Sequence, residues 1–196
     1  PGAILNLHAL KDELKNRDDL DCIYKYVTVA SSISLLINPY IDRNKNQINS
    51  KKYGSTNQGT GNAVLARTSR SSVRLMDIEN VVNEKISLEE LSTKIEESCM
   101  QLDRYFYKDK SHDYYYKEAI ELVSDYEEIK KMIGDFSKDY TKFLYELNDD
   151  KKILIEGCNG IMLDNLHGLN PYTTSASTSV NALLNGANIS PYLLND

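Results

Sequence analysis

The sequence predicts an α/β fold, and three features carry that reading. Leucines at helical spacing near the start give way to a β-branched, aromatic run at 23–30. A short apolar run at 152–156 stands before Gly157, and a long stretch of helical periodicity lies between the two. Helices and strands therefore alternate at both ends, around a helical insertion.

The chain opens on Pro1-Gly2-Ala3-Ile4-Leu5, which reads as the end of a strand and is expected of a partial chain. Asn6 is a credible N-cap for a helix carrying Leu7, Leu10 and Leu14 through Lys15. Ile23 to Ala30 has the composition of a half-buried strand. Ser31 to Ile41 is mostly apolar, whereas the stretch from Asp42 to Gly61 turns polar and then glycine-rich, the pattern of a loop.

Beyond Asp77 helices dominate. Ser87-x-x-Glu90 is a capping box, followed by Leu88, Leu91, Ile95 and Met100 on one face. Ala119, Leu122, Val123, Tyr126, Ile129 and Ile133 form a second stripe, and Phe136, Tyr140, Phe143, Leu144 and Leu147 continue after Gly134. Lys152 to Glu156 then predicts a short buried strand ending at Gly157, and ligands often bind at such ends. The expected division is 1–80 for an α/β segment, 81–150 for the helical insertion and 151–196 for a strand-turn-helix segment.

Composition narrows the function classes. Of 196 residues 41% are hydrophobic and 27% charged, which fits a folded globular protein. The net charge of 23 − 29 = −6 argues against a polymeric nucleic-acid partner, which a broad basic surface would attract. No run approaches the roughly 20 apolar residues that span a bilayer, so no membrane partner is expected. Cys22, Cys99 and Cys158 are scattered and odd in number, which suits a reducing cytoplasm. His8, His112 and His167 show no metal-ligand spacing, and no metal site is predicted from them.

Four constellations could carry chemistry. Gly54-Ser55-Thr56-Asn57-Gln58-Gly59-Thr60-Gly61 offers backbone amides and hydroxyls suited to phosphate, but it lacks the Gly-Lys-Ser/Thr of a Walker A loop and also reads as a plain turn. Arg67 and Arg70, three apart on a short helix, present guanidinium forks that suit phosphate or an ordinary solvated face. Glu156-Gly157-Cys158-Asn159-Gly160, with Leu163 and Asp164 beyond, could aim side chains at a planar ligand or make a structural turn. The hydroxyl run from Thr173 to Ser179 precedes a helical pattern and can bind an anion or simply cap it.

Taken in order, these segments resemble the adenylosuccinate synthetase family. GSTNQGTGNAVLARTSRSSVRLMDI is similar to that family's G-T-T-x-x-G-x-G-P-A-Y segment and the arginines after it. ILIEGCNGIMLDNLHGLNPYTTSAS is similar to its F-E-G-A-[QN]-G-x-L-L-D-x-x-x-G-T-Y-P-[YF]-V-T-S-S motif. Asn62 and Val64 stand where that pattern has Pro and Tyr, Leu169-Asn170-Pro171 where it has Thr-Tyr-Pro, and Ser175-Ala176-Ser177 where it has Ser-Ser-Asn.

The resemblance implies a partial adenylosuccinate-synthetase-like fold, with a central sheet, flanking helices and a helical insertion. It implies ligation of L-aspartate to C6 of inosine monophosphate, driven by GTP or ATP with Mg2+, in a cytoplasmic homodimer. Gly54, Ser55 and Thr56 with Thr174 would hold the nucleotide's 5′-phosphate, and Arg70 would reach that phosphate from the neighbouring subunit. Asn159 would face the purine and Leu163 would pack near it. The family's Gly-Asp-Glu-Gly-Lys-Gly loop and its catalytic histidine are expected before Pro1, and its aspartate- and guanine-recognition residues beyond Asp196, so no catalytic residue is assigned within the chain.

Three alternatives stay open. The short Gly-Ser-Thr-x-x-Gly-Thr-Gly form is closer to archaeal and phage-type members, some of which use deoxyguanylate to make 2-aminoadenylosuccinate. A degenerate, noncatalytic nucleotide-binding member is the second, and a helical interaction module without nucleotide binding is the third.

Overall fold

The computed structural model describes residues 2–18, 27–45, 58–146 and 152–193. The local signals near the start act as expected. Asn6 accepts the Ala9 N–H at 3.1 Å and opens α1 (Leu7–Lys15), which buries Leu7 and Leu14 fully. Before it, β1 (Ile4–Leu5) pairs in parallel with β3 (Ser34–Leu35), Ile4 opposite Ser34 and Leu5 opposite Leu35, so α1 lies in the connection between them.

A second parallel pair joins β2 (Val29–Ala30) to β4 (Ser137–Lys138). Its strands lie more than 100 residues apart in sequence, and the chain returns to β4 only after five further helices. These are α2 (Asn38–Lys45), α3 (Thr60–Thr68), α4 (Leu75–Val82), α5 (Leu88–Tyr107) and α6 (His112–Ile133). Two shorter helices follow, α7 (Tyr140–Tyr145) and α8 (Val180–Gly186), with single 3-10 turns at Ile161–Leu163 and Pro191–Leu193. The class is α/β, with helices packed around two small parallel sheets.

The Ser87–Glu90 capping box forms at the start of α5, with Glu90 N–H on Ser87 Oγ at 3.1 Å and Ser87 N–H on the Glu90 carboxylate at 2.7 Å. α5 breaks at Asp103, whose carboxylate accepts the Phe106 N–H and caps the last turn afresh. The α5 stripe buries Leu91, Ile95 and Cys99 against Tyr115, Ala119, Leu122 and Ile129 of α6, and all seven are fully buried. The same cluster includes Leu7, Leu35, Ile78 and Phe136, so α5 and α6 share one core with α1, α4 and the strands.

Fourteen tyrosines and no tryptophan give this core its polar handles. Tyr107 Oη donates to the Pro39 carbonyl at 2.7 Å, Tyr40 Oη meets Ser98 Oγ at 2.5 Å, and Tyr114 Oη donates to Asp42 at 2.6 Å. Burial pushes the Tyr40, Tyr107 and Tyr114 phenols far above their ordinary range, so they stay neutral donors.

Two expectations change. The run from Lys152 to Glu156 forms no strand among the described residues, and Leu154 is 92% exposed. An apolar run marks a surface that needs cover, but backbone pairing requires a neighbouring strand, and none lies beside it among these residues. Second, Arg70 sits beyond the end of α3 rather than within it. The 23–26 part of the first predicted strand lies outside the described residues.

Candidate functional site

An aspartate organises the segment between 160 and 179. The turn at Ile161–Leu163 delivers Asp164 to the interior, where it is fully buried. One of its oxygens accepts the N–H groups of Leu166 at 2.8 Å and His167 at 3.0 Å. The other accepts Ser177 Oγ at 2.6 Å and the N–H groups of Thr178 at 2.5 Å and Ser179 at 3.2 Å. The Ser177 hydroxyl first, then the backbone N–H groups, hold this carboxyl well below the usual carboxylate range despite its desolvation.

Asp164 therefore ties the turn to the hydroxyl run, and the backbones then meet directly. Thr174 N–H donates to the Leu163 carbonyl at 2.8 Å, and Thr178 Oγ1 donates to the Gly160 carbonyl at 3.1 Å. Ser179 caps α8 by accepting the Ala182 N–H. A Cβ at Gly157 would lie 2.9 Å from Leu183 Cδ2, so α8 packs against the chain just before Asn159.

The described end of the glycine-rich segment, at Gly59 and Gly61, reaches the same place. A Cβ on Gly61 would fall 2.7 Å from Ser175 Oγ, closer than atoms approach, so the start of α3 abuts the hydroxyl run because position 61 has no side chain. Gly59, with φ of 78°, sets α3 against Ile41 of α2. Asn62 is buried and bridges the helices, donating to the Tyr40 carbonyl at 2.8 Å and accepting from Arg43 at 2.5 Å.

Leu163 and Thr174 are thus brought together, with Asn159 on the exposed chain four residues before Leu163. Ile161, Met162 and Leu163 are 51%, 58% and 43% exposed, an apolar shelf beside polar donors that matches a planar, polar-edged ligand. Thr174 Oγ1 makes no hydrogen bond among the described residues, and its N–H is already spent on Leu163. Gly54, Ser55 and Thr56 lie outside the described residues.

Arg70 is not part of this grouping. It stands nine positions beyond Gly61 at the opposite end of α3, about 13 Å along the axis at 1.5 Å per residue. There it takes φ of 65° as the left-handed residue of a Schellman ending: Arg70 N–H bonds the Arg67 carbonyl and Ser71 N–H the Ala66 carbonyl. Glu84 and Asn188 end α4 and α8 in the same way, so the conformation aims the Arg70 side chain outward without itself marking a function. Arg67 turns the other way, its guanidinium bonding the Gly2 carbonyl at 2.5 Å and so joining α3 to the start of the chain.

Residues 1–196 match the family model described as adenylosuccinate synthetase. The chain belongs to the adenylosuccinate synthetase family. The adenylosuccinate synthetase of Wolbachia sp. subsp. Drosophila simulans is 28% identical over 195 residues, covering 96% of this chain and 44% of that protein. The Chlorobium limicola adenylosuccinate synthetase is 29% identical over 197 residues, covering 97% and 43%. The chain thus spans less than half the length of the curated relatives it matches. The solved structure of fully ligated adenylosuccinate synthetase from Plasmodium falciparum shares the fold, with a TM-score of 0.75 at 24% identity, over 98% of this chain and 43% of that one.

Within the adenylosuccinate synthetase family pattern, the substitution at Asn62 has a structural account. Its side chain fastens α3 to α2, a job that a proline there could not do. The sequence named Asp164 and the Thr173–Ser179 run in separate constellations, but not the bonds from Ser177, Thr178 and Ser179 to Asp164. Their contacts span 13 to 15 positions, a separation without local signature.

Proposed function

We propose that this chain holds the monophosphate substrate of a purine-nucleotide ligase that joins L-aspartate to C6 of inosine 5′-monophosphate. The supporting observation is a convergence: Asp164 ties its turn to Ser177–Ser179, the Leu163 carbonyl accepts the Thr174 N–H, and Gly61 of α3 abuts Ser175. Family membership supplies the reaction class.

In this reading Thr174 and Thr56 donate hydroxyl protons to the 5′-phosphate, with Ser55 and the backbone at Gly54 beside them. Leu163 packs against the purine, and the Asn159 amide, donor and acceptor at once, addresses its edge. Residues 1–80 carry the phosphate loop, 81–150 the helical insertion and 151–196 the purine-facing turn. Arg70 acts on the phosphate of a second subunit in a homodimer, a role supported by its exposed place beyond the end of α3 opposite Gly61.

GTP or ATP supplies the phosphoryl group that activates the 6-oxygen for displacement by the aspartate amine. Mg2+ belongs to the family reaction, but the one fully buried carboxylate of this site does not fit it, because both Asp164 oxygens are spent on five donors. No step is assigned to the cation here.

The test is aspartate-dependent product formation by the intact protein with inosine 5′-monophosphate and, separately, deoxyguanylate. Aspartate adduct from inosine 5′-monophosphate supports the reading. Adduct from deoxyguanylate alone, or nucleotide binding without any adduct, overturns it.

A further inference from the structure

Away from the proposed nucleotide site, two helices bring a histidine and two glutamates to one point. His8 of α1, Glu118 and Glu121 of α6 offer ligand atoms that all lie within 4.8 Å of one another. Glu118 and Glu121 are three apart, on one face of α6. His8 Nε2 is 3.6 Å from Glu118 Oε1, and the Asn38 amide at the start of α2 is 3.2 Å from His8 Nε2 and 3.5 Å from Glu121 Oε2.

These separations match a cation's coordination shell. Ligands about 2.0–2.1 Å from a tetrahedral zinc ion stand about 3.4 Å from each other. A half-turn of the Asn38 amide presents its oxygen in place of its nitrogen, or leaves that corner to water. The histidine is also prepared for the task. Asp125 bonds His8 Nδ1, the carboxylate-on-imidazole arrangement that orients a metal-binding ring and leaves Nε2 for the ion. Asp125 is itself fixed by Lys11 at 2.5 Å.

The charge count agrees. Glu118, Glu121 and Asp125 contribute −3, while Lys11 on Asp125 and Lys117, 3.8 Å from Glu121, contribute +2, so the cluster keeps a net −1 once His8 is neutral, as a metal ligand must be. Glu118 is 4% exposed and accepts the Asn38 N–H at 2.9 Å, so it has little water to offset its charge. We propose that His8 Nε2, Glu118 and Glu121 form a binding site for a divalent transition-metal cation, zinc above all, that staples α1 to α6. Mixed nitrogen and oxygen donors favour zinc over magnesium or calcium, which prefer oxygen alone.

The experiment titrates zinc alone into the chelator-stripped intact protein by calorimetry, with cobalt(II) absorption as a readout of tetrahedral nitrogen and oxygen ligation. Binding of one zinc that His8→Gln and Glu121→Gln each weaken by about tenfold or more is expected. Glu121 is partly exposed, so its variant keeps the fold if His8→Gln does not. His112→Gln, at the exposed His112–Glu89–Glu96 cluster, should leave that zinc in place. Absence of zinc binding, wild-type affinity in both His8→Gln and Glu121→Gln, or loss in His112→Gln instead overturns the proposal.

Discussion

The Thr174 N–H donates to the carbonyl of Leu163 across 2.8 Å, so the residue assigned to a phosphate and the residue assigned to a purine are joined by one hydrogen bond. The spacing of the two residues is thereby set by backbone, and Asp164 fastens the same turn to Ser177–Ser179.

Asp164 should make the site acid-labile. Its carboxyl lies well below the ordinary value near 3.9, so the folded state favours the ionised form. Its contribution is complete above about pH 4 and is lost as the pH falls below that value toward the lower native one. Denaturant unfolding of wild type and Asp164→Asn, followed from pH 7 to pH 3, should show the stability gap narrowing below about pH 4. A constant gap would contradict the assignment.

Gly61→Ala should loosen the site without disturbing the core. The added Cβ meets Ser175 Oγ at 2.7 Å and turns that hydroxyl out of its place in the run. Nucleotide affinity should fall by about tenfold or more, since a misplacement near 1 Å is costly in a preorganised site. Calorimetric titration with inosine 5′-monophosphate measures it.

Arg70→Gly should separate stability from function. Glycine accepts the left-handed backbone at this helix end without the penalty of a Cβ, so thermal unfolding should be unchanged or improved by up to about 1 kcal/mol. Activity should nevertheless fall sharply. Mixing this variant with Thr174→Val should restore part of it, because a mixed dimer holds one site with both residues intact.

Leu122→Ala, in the core that α5 and α6 share, should cost about 2–5 kcal/mol by opening a cavity between them. Chemical denaturation gives the value, and the nucleotide affinity of the folded fraction should be unchanged.

Features written in neighbouring residues were legible in the sequence. The Asn6 cap, the Ser87–Glu90 box and the α5 and α6 stripes each depend on residues within a few turns. Pairing between β2 and β4 was not, because two-residue strands have no periodicity and their partners lie a hundred residues apart. For the same reason the motif containing Leu163 and Asp164 could be read, but the grip of Asp164 on Ser177 to Ser179 could not. The 152–156 run shows the converse limit, since hydrophobicity announced a covered surface without saying what covers it.

The most direct measurement compares inosine 5′-monophosphate with inosine by calorimetry, on the intact wild-type protein and on Thr174→Val. Thr174→Val removes the hydroxyl but keeps the N–H on Leu163. The account predicts that the monophosphate binds far more tightly than the nucleoside, and that Thr174→Val erases about tenfold or more of that preference, the effect of one charge-assisted hydrogen bond. Equal binding of the two ligands, or a preference unchanged in Thr174→Val, would contradict the placement of the phosphate at Thr174.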